Sequence, residues 1–199
     1  SFFLDGVEAH FASPFDALDA GIGMVHQEFS LLPDFTTTEN VVLNREARKK
    51  TNVFSLIFGE RLETLDRKEM QKTALEAINR LGVSLDENML VSQMPVGHKQ
   101  FTEISRELSR KGMKLLILDE PTAVLTESEA ETLLKTLRKL ADNGIAIIFI
   151  THRLHEIMEV SDKVLVMRDG LIISNLDKNK TSIGEITKAM VGREVKEEK

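Results

Sequence analysis

Two solidly apolar runs, Leu115–Leu118 (LLIL) and Ile145–Ile150 (IAIIFI), flank a segment whose apolar residues return at helical spacing. Ala130, Leu133, Leu134, Leu137 and Leu140 fall on one face of that segment. Continuous apolar runs suit strands covered on both sides, and strands joined through a helix run parallel. This arrangement predicts an α/β fold built on a parallel sheet buried on both faces. Thr126 with Glu129 supplies a capping box at the helix start, and Gly144 lies just past its end.

The other elements are shorter. SFFLDGVEAHF alternates around Asp5-Gly6, the signal of a β-hairpin. SPFDALDAG predicts a short helix capped by Ser13, with Pro14 in its first turn and Gly21 as its stop. IGMVHQ predicts a strand ending on polar residues. From Thr38 to Leu108 the pattern turns helical and charged, most clearly over Asp66–Gly82, where Met70, Ala74, Ala77, Ile78 and Leu81 share a face. Within it, REARKKTNVFSLIFGERLE is ambiguous, and the apolar VFSLIF is either core or a docking patch. THRLHEIMEV opens a helix, KVLVMRDGLIIS forms a hairpin around Asp169-Gly170, and Ser182–Val191 forms a last helix before the charged tail REVKEEK. The helical block interrupts the α/β rhythm. It is therefore expected as a subdomain over 38–108, inserted into a core made of 1–37 and 109–199.

Composition excludes several classes. A net charge of −6 gives no electrostatic support to a nucleic-acid partner. The absence of Trp and Tyr argues against stacking platforms, and the absence of Cys removes disulfides and thiolate metal sites. IAIIFI is the longest apolar run and is far too short to span a bilayer. No signal peptide is visible, and the chain opens in mid-pattern without Met, as a processed or partial chain does; the default compartment is the cytosol.

Ligands of open parallel sheets sit beyond the carboxyl ends of the strands. Three strands end there on polar residues: Gln27, the pair Asp119 and Glu120, and His152. An apolar strand followed by Asp is the pattern that holds Mg²⁺ in P-loop NTPases, and an adjacent Glu can orient or deprotonate a water. Each alone has a plainer explanation. A strand-ending Asp often caps a helix, Thr151-His152 can cap the next one, and Gly21-x-Gly23 is too short for a phosphate fingerprint.

The order of the parts weighs against those plainer explanations. Strand-Gln, helical insert, MPVGHKQFTEISREL, LLILDEPTA, helix, strand-Thr-His and strand-Arg-Asp-Gly together resemble the ATP-binding cassette (ABC) ATPase family as far as about Gly192. GIGMVHQEFSLLPDFTTTENVVL, TAVLTESE and MVGRE are similar to its carbohydrate importers of ribose or galactose type, and EIS with VGRE to the first of two fused cassettes. The resemblance implies a P-loop NTPase-like core with ATP and Mg²⁺ as cofactors. It makes Gln27 the glutamine that contacts Mg²⁺ and the attacking water, Asp119 the Mg²⁺ ligand, Glu120 the catalytic carboxylate and His152 the histidine on the γ-phosphate. Thr122–Leu125 becomes the loop that follows them. Implied partners are a second cassette (fused or separate), transmembrane permease subunits and, indirectly, an external sugar-binding protein. The implied location is the cytoplasmic face of the membrane. A regulatory or scaffold module without hydrolysis is the alternative.

Two departures stand out. No Gly-Lys pair occurs, so the phosphate-cradling G-x-x-x-x-G-K-[ST] loop is missing from this sequence. In the family it precedes the segment where this chain begins, and the expectation is a partial cassette that binds Mg-ATP weakly or not at all. Second, the signature usually written Leu-Ser-Gly-Gly-Gln stands as Met94-Pro95-Val96-Gly97-His98. Val96 is tolerable by resemblance to sugar importers, but Pro95 offers neither hydroxyl nor N–H to a phosphate.

Overall fold

A computed structural model describes residues 2–49 and 64–191 of the chain. The apolar VFSLIF stretch and the REVKEEK tail lie outside the described residues. The chain divides into two compact units, Ser1–Ile148 and Phe149–Lys199.

The first unit opens with β1 (Phe2–Leu4) and β2 (Val7–Ala9), paired antiparallel as the sequence predicts. Asp5 and Gly6 turn between them at φ 52° and 79°, the double positive φ whose twist matches a two-residue hairpin. Helix α1 (Pro14–Asp19) starts on a reciprocal box: the Ser13 hydroxyl accepts from the Asp16 N–H, and the Asp16 carboxylate accepts from the Ser13 N–H. Gly21 then turns at φ 90°, where a Cβ would collide with the Gly112 carbonyl oxygen.

The central sheet has the order β3–β6–β7, with β3 at Ile22–Val25, β6 at Leu115–Asp119 and β7 at Ala146–Ile150. β3 and β6 run parallel, with Ile22 opposite Leu115 and Val25 opposite Leu118. The Ala146 N–H donates to the Lys114 carbonyl, so β7 starts level with β6 and runs the same way. On one face Gly23, Val25, Leu116 and Leu118 are buried. A Cβ on Gly23 would lie 2.9 Å from Met113 Cε and 3.0 Å from Glu107 Oε2, so a larger residue here has to displace those side-chain ends. The opposite face departs from expectation: Met24 is 36% exposed, and Ile148 and Ile150 of β7 are each 46% exposed. Among the described residues this face is the less covered one, although Leu115 on it is buried. An apolar run reports that a strand is fit for burial, but the covering layer comes from other elements of the fold.

Between β3 and β6 lie α2 (Thr37–Val41), a short ladder of β4 (Arg48–Lys49) with β5 (Thr64–Leu65), α3 (Arg67–Leu81) and α4 (Val96–Leu108). The ladder is not anticipated by the helical pattern, since a two-residue pairing carries no periodicity to read. Val41, Val42, Met70, Ala74 and Ala77 form one buried cluster across α2, its C-terminal neighbour and α3. Asp66 caps α3, and Gly82 ends it at φ 66°. The buried Asn40 side chain accepts from the Leu32 N–H at 2.8 Å and donates to the Leu32 and Thr36 carbonyls, fixing the loop that enters the block. Helix α5 (Glu127–Asp142) begins with the expected Thr126–Glu129 box and buries Ala130, Leu133, Leu134, Leu137 and Leu140. Full burial of a leucine such as Leu133 or Leu137 contributes roughly 1.5–3 kcal/mol.

In the second unit, β8 (Lys163–Arg168) and β9 (Leu171–Asp177) form the hairpin predicted at Asp169-Gly170, whose φ values are 50° and 77°. Val164, Val166 and Ile186 are its buried core, with Leu154, Ile157 and Met158 of α6 (Leu154–Val160) and Ala189 of α7 (Ile183–Val191) packed against them. No helix among the described residues is long and apolar enough to cross a membrane.

Candidate functional site

The parallel pair β3–β6 delivers its two polar ends to the same edge. β3 stops at Val25, opposite Leu118, and Gln27 follows two residues later in an exposed bend. Asp119 is the last residue of β6 and is half-buried. Glu120 comes next at φ 46°, a left-handed conformation that costs a non-glycine residue about 1–2 kcal/mol. Pro121 follows it, and proline normally drives its predecessor to extended backbone. Such strain persists only where surrounding structure over-determines it, and it clusters at functional sites. Pro121 and Thr122 are buried behind the turn, and the Ala123 N–H donates to the Glu120 carbonyl at 3.1 Å. The turn therefore aims the Glu120 side chain independently of the strand pleat.

Residues 94–98 lie at the start of α4. Pro95 is its N-cap and provides no side-chain cap bond, although its carbonyl accepts from the Lys99 N–H at 3.2 Å. Val96, Gly97 and His98 form the first turn, whose amides have no partner within the helix and carry its partial positive charge. Gly97 is buried against α5: a Cβ there would lie 2.8 Å from Glu129 Cδ and closer still to Oε1. The Glu129 carboxylate thus touches the first turn of α4 while also closing its own capping box on Thr126. The Thr126 backbone N–H, then its hydroxyl and then the nearby His98 hold the Glu129 carboxyl below the ordinary glutamate value. A glutamate three residues into a helix is legible as a box partner. That it also meets Gly97 is not, because the contact joins two helices.

Farther along α4 stand Glu103, Arg106 and Glu107, with Arg110 just past its end, three and four residues apart. Glu103 and Glu107 are buried, at 2% and 3% exposure. Arg106 Nη2 donates to Glu103 Oε2 at 2.8 Å, and Arg110 Nε donates to Glu107 Oε2 at 2.8 Å. Burial raises the Glu103 carboxyl against the pull of Arg106 and the Ser30 N–H. Arg45 reaches in from beyond α2, donating to the Arg106 and Val41 carbonyls, and burial next to Arg110 lowers its pKa. Sequence reading placed Glu103 only within EIS; the signal it offered was a carboxylate amid the apolar positions Phe101, Ile104 and Leu108.

His152 belongs to the second unit, two residues past the end of β7, and is exposed. Its neighbour Thr151 accepts from the Arg153 N–H at 3.1 Å, and Arg153, the N-cap of α6, makes no side-chain cap bond. Among the described residues no group of three His, Asp or Glu side chains is set to hold a metal ion.

Residues 4–123 match a family model described as ABC transporter. The chain is 40% identical over 192 residues to the ribose import ATP-binding protein RbsA 1 of Burkholderia thailandensis, covering 96% of this chain and 36% of that protein. It is 37% identical over 195 residues to ribose import ATP-binding protein RbsA of Streptococcus agalactiae, covering 98% and 37% respectively. The corresponding RbsA of Rhodopirellula baltica is 40% identical over 194 residues, covering 97% and 35%. The chain thus spans about a third of the length of the curated relatives it matches. Among solved structures, the ATP-binding cassette MJ0796 in a dimeric post-hydrolysis state with ADP and Pi superposes with TM-score 0.69 at 23% identity, over 88% of this chain and 72% of that one. That likeness supports a fold of P-loop NTPase-like cassette type.

Proposed function

The chain belongs to the ABC transporter family, and from that premise we propose that it forms part of an ATP-hydrolysing cassette of a sugar importer. The observation that carries this reading is the shared edge of β3 and β6, where Gln27, Asp119 and the strained Glu120 emerge from adjacent parallel strands. Asp119 and Gln27 offer hard oxygen donors, which suit Mg²⁺ that keeps most of its coordination on water and phosphate. Bound Mg-ATP supplies the phosphoanhydride to be cleaved. Asp119 would hold the metal side, Glu120 would orient the attacking water and take its proton, and Gln27 would contact both. His152 takes the γ-phosphate contact that the family resemblance gives it. The start of α4, Pro95–His98, faces the nucleotide of a partner cassette, with first-turn amides as its grip. Residues 38–108 act as the signature subdomain within a core of 1–37 and 109–199. Permease subunits in the membrane and a second cassette are the partners, and the working place is the cytoplasmic face of the membrane. Relatives named for ribose import support the sugar class.

In the assembled transporter, Glu120→Gln should lower ATP turnover by about 10²-fold or more, the usual contribution of a general base. Retained turnover would overturn the assignment of Glu120. The sequence of this chain contains no Gly-Lys pair to reach the β and γ phosphates, so by itself it binds Mg-ATP weakly. Calorimetry finding tight Mg-ATP binding by the chain alone would contradict that. Pro95 leaves α4 without a side-chain cap, which favours a second reading in which this signature serves a weakened or non-hydrolysing site. Pro95→Ser in the assembled transporter should then raise ATPase activity; unchanged activity counts against it.

A further inference from the structure

The loop carrying Gln27 is anchored at both ends. At its start, Val25 is held in register with Leu118. At its far end both backbone groups of Ser30 are gripped by α4: its N–H donates to Glu103 Oε1 at 2.6 Å, and its carbonyl accepts from Arg106 Nη1 at 3.1 Å. The two side chains also bond each other, Arg106 Nη2 to Glu103 Oε2 at 2.8 Å, so the three groups close a ring. His26 lies near enough to Glu103 for its charge to act on that carboxyl. Between the anchors Gln27, Glu28 and Phe29 are exposed. A buried ion pair is a weak source of stability, since well-packed apolar residues in its place do as well or better. What this pair supplies that apolar packing does not is a directional hold on one peptide segment. Glu103 stands six residues beyond Gly97, about 9 Å along the axis of α4.

We propose that Glu103 and Arg106 are positioning residues that lock the Gln27 loop to the helix beginning at Pro95–His98, so that the glutamine and the phosphate-facing end of that helix shift together. The proposal rests on the reading of Gln27 given above. A change in the angle of α4, as on meeting a partner's nucleotide, is then transmitted through the Ser30 backbone to Gln27. A loop freed from this hold leaves the glutamine misplaced while Asp119 and Glu120 keep their places.

Kinetics in the assembled transporter test the function of the hold. Glu103→Ala should lower kcat for ATP about tenfold or more with KM within about twofold, as a misplaced catalytic group does. Glu103→Gln keeps an oxygen for the Ser30 N–H and should restore most of the loss. Added to Gln27→Ala, Glu103→Ala should cost nothing further. Amide exchange in the 199-residue chain reads the tether itself: the Ser30 N–H should exchange about as slowly as the amides of α4 and speed up about tenfold in Glu103→Ala. Wild-type kcat in Glu103→Ala, or losses that multiply with Gln27→Ala, overturns the coupling. Exchange at Ser30 unchanged by Glu103→Ala overturns the tether. If Gln27→Ala alone keeps wild-type turnover, the reading of Gln27 fails and takes the coupling with it, a result distinct from either of the others.

Discussion

Glu120 carries two demands that conflict in most residues: a left-handed backbone at φ 46° and a carboxylate side chain. The conflict can be measured apart from catalysis. Glu120→Gly and Glu120→Ala both delete the side chain, but only glycine adopts this backbone without a Cβ penalty. The glycine variant should be the more stable by about 1 kcal/mol in thermal or denaturant unfolding, and both should be inactive. Equal stability would mean that the turn carries no strain. Gly97 presents the opposite case, a residue defined by what touches it. A Cβ there displaces the Glu129 carboxylate from Thr126, so Gly97→Ala should cost about 1 kcal/mol, the worth of a lost cap. In a Glu129→Ala background the box is already gone, and Gly97→Ala should then cost markedly less. Full additivity would show that Gly97 matters for another reason. At this scale the identities Gln27, Asp119, Glu120 and His152 are legible from strand ends. The strain at Glu120 and the contact at Gly97 are not, because neither backbone torsion nor an interhelical approach leaves a mark on residue order.

The helix starts show how one local signal can serve two elements. Ser13 and Thr126 cap α1 and α5 through reciprocal boxes readable from spacing alone. At α5 the same Glu129 carboxylate also stands beside the positive first turn of α4. Its pKa is held below the ordinary glutamate value of 4.5, chiefly by the Thr126 N–H. The stabilisation this gives is fully present above 4.5 and is lost as pH falls through the lower folded value. The stability gap between wild type and Glu129→Gln should therefore be widest near neutral pH and shrink below about pH 4.5. A gap that stays constant across that range would show that the carboxylate's charge is not what holds the two helix starts. The helices α3 and α5 themselves follow from periodicity and caps. The β4–β5 ladder does not, since its partners lie far apart in sequence and are too short for any pattern.

At the scale of the whole molecule, the second unit carries its own small core around Val164, Val166 and Ile186. Ile186 is fully buried, and truncation to alanine should cost about 2–5 kcal/mol. Amide exchange should then quicken across β8, β9, α6 and α7 while the amides of α5 keep their protection. Uniform loss of protection would mean that the two units unfold as one. The sequence by itself determined the α/β class, the parallel pairing implied by a strand-helix-strand run, both Asp-Gly hairpins and the bounds of α1, α3 and α5, and its motifs carried the resemblance to the family. The structural expectations rest on local physics: apolar periodicity, cap chemistry and turns that demand positive φ. Tertiary structure alone decided that Gly97 meets Glu129, that Glu120 is turned against its own backbone preference, and that Glu103 and Arg106 of α4 hold Ser30. Each of those depends on which distant segment comes to lie beside a residue. That is a property of packing, and residue order carries it only once the chain has closed on itself.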